Sequence, residues 1–367
     1  MDEKFQKDIL KHIEDENYEK ALEDINKHLS KNGNDSDAHA LKSMVLLEMG
    51  NNSKEALNEA NIALRIDDFH FYRFLAGSAM LELNLIEDAI KTLQKAADEY
   101  EEEPDYFIKL ASAYEIKGDN NSALKAIIRA IKVDPENGDL KIMKASLLNA
   151  LDREKEALSE LRKLKEKEPK MPGIYFIEAE SYMNLENVAE AEKSILKAIE
   201  YMKSAPVPEY LERAAEIEIL LRKPDEAMEF VDKALALDKE NDKLKLIKGS
   251  ILIDFGRGDE AMDFAFDEYR KNRENPILSF MLIDILAETE DSKKFNEFLE
   301  EAKFPESLAI LSKLYAGMEL DIPDSELSPI LSKLSSDVNG NIYFEELAAI
   351  LYENIFEDDE SDSDDGN

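Results

Sequence analysis

The chain has no cysteine and no tryptophan, and its 367 residues include only 4 histidines, 12 glycines and 11 prolines. Without cysteine there is no disulfide, no thiol nucleophile and no thiolate metal ligand. Positive charge is scarce as well: 46 Lys and Arg stand against 83 Asp and Glu, a formal net charge of −37 at pH 7. A surface of that sign repels nucleic acid and anionic lipid and draws in basic partners. Long apolar runs are missing too. No stretch approaches the ~18 apolar residues of a membrane-spanning helix. The opening residues, MDEKFQKDIL, are charged from the second position, unlike a secretory leader. A soluble, cytoplasmic protein is the expectation, with neither nucleic acid nor membrane among its partners.

What the chain does have is repetition. Hydrophobic residues make up 44% of it, enough for a continuous core. After each short polar turn comes a small residue: Ala21, Ala56, Ala89, Ala123, Ala157, Ala191, Ala227, Ala261, with Phe295 closing the series. The steps are 35, 33, 34, 34, 34, 36, 34 and 34 residues. Seven residues further on runs a second ladder in the same register: His28, Ala63, Ala96, Ala130, Leu164, Ala198, Ala234, Glu268 and Ala302. One unit, PDYFIKLASAYEIKGDNNSALKAIIRAIKVDPEN, reads as two amphipathic helices around a Gly118-Asp119 turn, with apolar residues recurring at three and four. Small residues at Ala111, Ala123 and Ala130 let the two helices cross closely, and Pro135 stops the second helix. A lone hairpin cannot bury its apolar face, so each unit must stack on the next.

The period, the small residue at the eighth position of each unit (Gly77, Ala111, Ala145, Ala179, Ala215, Gly249) and the alanines at positions 20 and 27 resemble the tetratricopeptide repeat family. Tyr114 and Tyr182 at position 11, and Pro135 and Pro169 at position 32, add to the likeness. The position 4 tryptophan common in the family is absent, and the first unit carries Ile9 and His28 where small residues belong. The resemblance implies an all-α fold, a right-handed superhelical α-solenoid of antiparallel helix pairs. It implies eight good repeats and a degenerate ninth over residues 1–304. Residues 305–356 depart from the pattern and are expected to form a helical cap over the last hairpin, since terminal repeats need a polar outer face. The tail 357–367, EDDESDSDDGN, is low-complexity, acidic and expected to be disordered.

The resemblance also implies a concave groove lined by the first helix of each unit. Carried onto this chain, the groove residues are Phe71, Phe74, Leu75, Ile108, Lys109, Ile142, Met143, Phe176, Ile177, Glu180, Glu212, Arg213, Leu246 and Ile247. The Lys, Arg and Asn sets with which some family members hold a chaperone's C-terminal carboxylate, or an extended backbone, are missing. An apolar stripe stands in their place. If it is open to solvent it marks an interaction site for an amphipathic helix with a basic rim; if it is closed it is packing between hairpins. The chain's own C-terminal segment is a third occupant.

Nothing catalytic is assembled. Gly256-Arg257-Gly258-Asp259-Glu260-Ala261 fits a dinucleotide fingerprint in letters, yet no strand precedes it and Ala261 lies on the repeat ladder, so it reads as an inter-helix turn. His12, His28, His39 and His70 form no metal-binding pair. The expectation is therefore a scaffold with no enzymatic activity and no cofactor. SSDVNGNIYFEEL near the C-terminus resembles an EF-hand loop, with Asp337 at position 3, Asn339 at 5, Gly340 at 6 and Glu346 at 12. Ser335 replaces the aspartate expected at position 1. A turn between two capping helices is the alternative to a weak Ca²⁺ site there. Three functions remain open to the chain: a scaffold docking a basic or amphipathic protein segment, a self-assembling protein that forms homo-oligomers, and a weakly Ca²⁺-responsive regulator through the 335–346 loop.

Overall fold

The structure, a computed structural model, describes residues 3–50, 52–202, 206–273, 275–289 and 291–318 and the isolated positions 329 and 333. Among these residues there are nineteen α-helices and no strand. Their contacts divide the chain into two compact units, Met1–Tyr201 and Met202–Asn367. The 335–346 loop with Asp337, Asn339 and Glu346, the tail, and most of the expected 305–356 cap lie outside the described residues.

The first unit is six consecutive antiparallel hairpins. They are α1 (Glu3–Glu14) with α2 (Tyr18–Leu29), α3 (Ser36–Glu48) with α4 (Ser53–Ile66), and α5 (His70–Glu82) with α6 (Ile86–Glu99). Then come α7 (Pro104–Ile116) with α8 (Asn120–Val133), α9 (Gly138–Asn149) with α10 (Glu154–Lys167), and α11 (Pro172–Asn184) with α12 (Val188–Met202). The second unit continues with α13 (Pro208–Leu220) and α14 (Pro224–Leu237), α15 (Asp242–Asp254) and α16 (Gly258–Lys271), α17 (Pro276–Glu288) and α18 (Ser292–Ala302). A single further helix, α19 (Glu306–Tyr315), follows. Helices two apart in the chain, such as α3 and α5, α9 and α11, or α15 and α17, also touch, so the first helices of neighbouring hairpins lie side by side.

The alanines of the two ladders sit at these crossings. Ala21, Ala56, Ala89, Ala123, Ala157, Ala191, Ala227 and Ala261 are all completely buried, as are Ala63, Ala96, Ala130, Ala198 and Ala234. Gly77 shows why the eighth position must stay small: a Cβ there would lie 2.6 Å from Leu93 Cγ on the paired helix. Where the second ladder departs from small residues, Leu164 is buried as plain core, while Glu268 and His28 each have a polar partner. The buried carboxylate of Glu268 lies 3.2 Å from the buried ammonium of Lys245, which occupies the fourth position of that unit. His28 lies with its Nε2 2.8 Å from Asp35 Oδ2 while its ring stacks on Phe5.

A third ladder, unseen in the letters, runs through the turns. Glu16, Gly50, Asn84, Gly118, Asp152, Glu186, Arg222 and Gly256 all have φ between 55° and 81°. Seven of them close their hairpin's first helix with the paired hydrogen bonds of a left-handed cap, as where Gly118 N–H donates to the Glu115 carbonyl (2.8 Å) and Asp119 N–H to that of Tyr114 (2.8 Å); Gly50 N–H donates to the Leu47 carbonyl (2.9 Å). Glu16 to Gly50 is 34 residues, whereas Ala21 to Ala56 is 35, so the second hairpin's extra residue lies after its left-handed turn residue. The same register puts Ser43 at that unit's small position. There it is fully buried, and its hydroxyl donates to the Ala56 carbonyl at 2.8 Å.

Candidate docking surface

Four successive first helices in the first unit, α5, α7, α9 and α11, each bring one large apolar residue to the same register: Phe74, Ile108, Ile142 and Phe176. All four are half-buried. Each belongs partly to its neighbours and leaves part of its surface to solvent. The next residues along behave unequally. Leu75 (2% exposed) and Ile177 (8%) have gone into the core, Met143 is half-buried and Lys109 is exposed. Half-buried Phe71 lies one turn before Phe74, with ring centroids 6.3 Å apart. Phe71, Phe74, Ile108 and Met143 all pack around one cluster built on Tyr106, Phe107 and Leu140, so the fold gathers them. Glu180, half-buried, stands one turn beyond Phe176.

The second unit distributes its expected groove residues differently. Leu246 packs into the core of α15 to α19, whereas Ile247 packs against the separate cluster of Ala215, Val231 and Ile251. Glu212 accepts a hydrogen bond from Lys243 of the following hairpin, and Arg213 donates to Glu216 at 2.5 Å. The surface here is ion-paired. None of the apolar residues expected in the groove, in either unit, is among the large hydrophobic side chains most exposed to solvent.

Charge is interleaved with the ladder. Lys144 on α9 reaches Glu160 at 2.9 Å, and Glu178 on α11 accepts from Lys165 (2.6 Å) and from the Ser194 hydroxyl (3.1 Å). In the second hairpin, Glu59 receives Lys42 at 2.8 Å and faces His39 Nδ1 at 2.5 Å, while His39 Nε2 donates to the Gly33 carbonyl at 3.1 Å. Burial alone pushes the Glu59 carboxyl up, but the hydrogen bonds from Lys42 and His39 outweigh it and hold the group below its ordinary value. The same balance, with Lys271 and Lys245 as donors, lowers Glu268. These pairs tie the two helices of a hairpin, or one hairpin to the next. Among the described residues no three His, Asp or Glu side chains converge as metal ligands. No described helix is long and apolar enough to cross a membrane.

A further aromatic group was not foreseen. Phe69, His70, Tyr100 and Tyr106 come together where the α4–α5 and α6–α7 loops meet: His70 stacks on Tyr100 at 4.4 Å and 8°, and its Nδ1 lies 3.0 Å from the Tyr106 hydroxyl. The signal in the letters is weak, since the pair Phe69-His70 stands 30 or more residues from Tyr100 and Tyr106, and all four are off both alanine ladders.

Residues 28–207 match the sequence model of the tetratricopeptide repeat family. No curated protein sequence is a significant match. Among solved structures, yeast Tom70 is similar over 92% of this chain and 63% of its own, with a TM-score of 0.57 and 17% identity. A tetratricopeptide repeat protein from Parabacteroides merdae covers 68% of this chain and 98% of its own, with a TM-score of 0.57 and 16% identity. Cut9, seen in the APC/C hetero-tetramer Cut9–Hcn1, covers 73% of this chain, with a TM-score of 0.51 and 14% identity. The chain spans about half (52%) of the length of that protein. At these identities the likeness is one of fold.

Proposed function

Because residues 28–207 belong to the tetratricopeptide repeat family, we propose that this chain is a non-enzymatic scaffold that docks a protein segment against the first helices of its hairpins. The observation that carries the reading is the ladder Phe74, Ile108, Ile142 and Phe176. It places one half-buried apolar side chain per hairpin over four successive hairpins of one compact unit. Side chains with one face in the core and one in water are preorganised, so an incoming segment buries apolar area while ordering little of the scaffold. The spacing of the ladder is that of side-by-side helices, 8–10 Å in general, which suits a segment lying across the helices. An amphipathic helix or an extended strand with alternating apolar residues meets this requirement. Lys109 and Glu180 flank the ladder with charges of opposite sign, and the net charge of −37 favours a partner segment with a basic side.

The test compares the wild-type chain with a Phe74→Glu/Ile142→Glu/Phe176→Glu variant as bait in lysate of the source cells, after a high-salt wash. Circular dichroism and a urea titration confirm that both are folded. The expected outcome is a protein retained by the wild type and lost by the folded variant. A partner held equally by both would move recognition off the ladder. Unfolding of the triple variant would mean that these side chains serve as core.

A further inference from the structure

Four first helices follow an Asp or Asn whose side chain accepts a hydrogen bond from the first turn: Asp35 before α3, Asn137 before α9, Asn241 before α15 and Asn275 before α17. Such a cap satisfies a backbone N–H that the helix itself leaves unpaired, and so stabilises the helix start over an apolar residue there. At α5 the position is held by Phe69, which caps nothing and leaves 42% of its surface in water. Glu103, Met171 and Val207 before α7, α11 and α13 accept no such bond either, and Phe69 itself packs edge-on against Tyr72, but of these four uncapped positions Phe69 alone is exposed to solvent. Around Phe69 the exposure is collective. Ile66 is 40% and Tyr100 37% exposed, and the rings are contiguous: Phe69 to His70 at 4.1 Å, then His70 to Tyr100 at 4.4 Å. The stack continues inward through Tyr106 to Phe74 at 4.7 Å, which seats the rim on a rigid aromatic base.

The two loops that carry this rim read Ile66-Asp67-Asp68-Phe69 and Glu99-Tyr100-Glu101-Glu102-Glu103. They hold six carboxylates. Among the described residues the cations that reach them are Arg73, buried and paired with Asp68 and Glu99, and Arg129, 3.0 Å from Glu101. Negative charge is left in excess around exposed ring faces. Burial pushes the His70 imidazole down from its ordinary value, so the ring inside the stack is uncharged at neutral pH. Exposed aromatic faces ringed by carboxylates select a cation with an apolar stem. A guanidinium suits best, because it is planar, stacks on rings and pairs with carboxylates in the same plane.

We propose that this rim is a docking point for an arginine-bearing segment of a protein partner. The guanidinium stacks on Tyr100 and Phe69 and pairs with carboxylates of the two loops, while the aliphatic stem covers Ile66. Phe74 underlies the rim and also belongs to the ladder of Phe74, Ile108, Ile142 and Phe176, but the contacts proposed here are made by Ile66, Phe69, Tyr100 and the loop carboxylates, and the test separates the two surfaces.

The probe is the peptide acetyl-Gly-Arg-Leu-Arg-Gly-amide, with the citrulline version as its uncharged isostere. It is titrated into the full chain carrying 13C-labelled isoleucine δ1 methyls. The Ile66 methyl is expected to shift with the arginine peptide, and the citrulline peptide is expected to bind at least about tenfold more weakly. Phe69→Asn is expected to restore a cap and raise the urea midpoint while weakening the peptide at least about tenfold, and Tyr100→Ser to weaken it similarly. Shifts confined to Ile108 and Ile142, equal binding of the citrulline peptide, full affinity in Phe69→Asn, or no shift of Ile66 at millimolar peptide would each overturn the proposal.

Discussion

A single methyl group separates two glycines that occupy the same place in their repeats. A Cβ on Gly77 would lie 2.6 Å from Leu93 Cγ and 2.8 Å from its Cδ2, with the Leu93 backbone nitrogen behind at 3.4 Å. On Gly249 its nearest neighbour would be the tip of Ile285, at 3.1 Å. Gly77→Val is therefore expected to destabilise the chain by about 2 kcal/mol, the cost of overpacking a crossing that cannot open. Gly249→Ala is expected to be neutral or stabilising by up to about 1 kcal/mol, since helix propensity favours it and a side-chain tip can move. Urea midpoints of the two variants check this, and equal losses would refute the distinction. Titration at the residue scale has a definite sign. Glu59 is held below its ordinary 4.5 and Asp35 below 3.8. For Asp35, burial works the other way and is outweighed by His28 and the Ala38 N–H. Both groups contribute stability that is present above the unfolded-state value and lost as pH falls through the lower folded-state value. Stability is expected to decline as pH drops below 4.5, and Glu59→Gln to flatten the upper part of that decline. Asp284, raised by burial despite the 2.5 Å hydrogen bond from Tyr315, runs the other way and partly offsets it.

At the scale of the element, the helix ends carry more information than the helix interiors. Eight first helices close with a residue at positive φ, yet only three of those residues, Gly50, Gly118 and Gly256, are glycine. A side chain in that conformation costs roughly 1–2 kcal/mol. Replacing it by glycine recovers part of this, less the greater freedom of glycine in the unfolded chain. Glu186→Gly and Arg222→Gly are each expected to stabilise by about 0.5–1 kcal/mol, read as a higher urea midpoint at unchanged slope. Helix starts follow the complementary rule. Asp35, Asn137, Asn241 and Asn275 accept from the first turn, and Pro104, Pro172, Pro208, Pro224 and Pro276 occupy a first helical position. Most of the hairpin boundaries were legible from these residues together with the alanine ladders. The left-handed ladder was not, because Glu16, Glu186 and Arg222 carry no conformational preference that would announce it.

At the scale of the molecule, what remains unbalanced is charge. The described ion pairs are mostly local, between helix neighbours or adjacent hairpins, and leave the excess of 83 acidic over 46 basic residues uncompensated. Like charges at that density repel across the surface, and the repulsion is screened once the Debye length falls to ~10 Å near 0.1 M salt. The melting temperature is expected to rise between roughly 10 mM and 300 mM NaCl. A fall over that range would mean that the ion pairs, such as Lys245–Glu268, outweigh the repulsion. The same screening is expected to weaken capture of basic segments, so binding must be compared at one ionic strength.

From its letters alone the chain determined the helix-hairpin repeat, its 34-residue period and the positions that must stay small. These depend on contacts between residues close in sequence, which a local pattern records. The tertiary structure decided which apolar side chains of the first helices keep a face toward solvent. Leu75 and Ile177 went inward, Phe74, Ile108, Ile142 and Phe176 stayed half-buried, and Phe69 and Tyr100 emerged at the rim. Exposure depends on how one hairpin leans on the next, and that is set by side chains 30 or more residues apart whose fit no short stretch of sequence encodes.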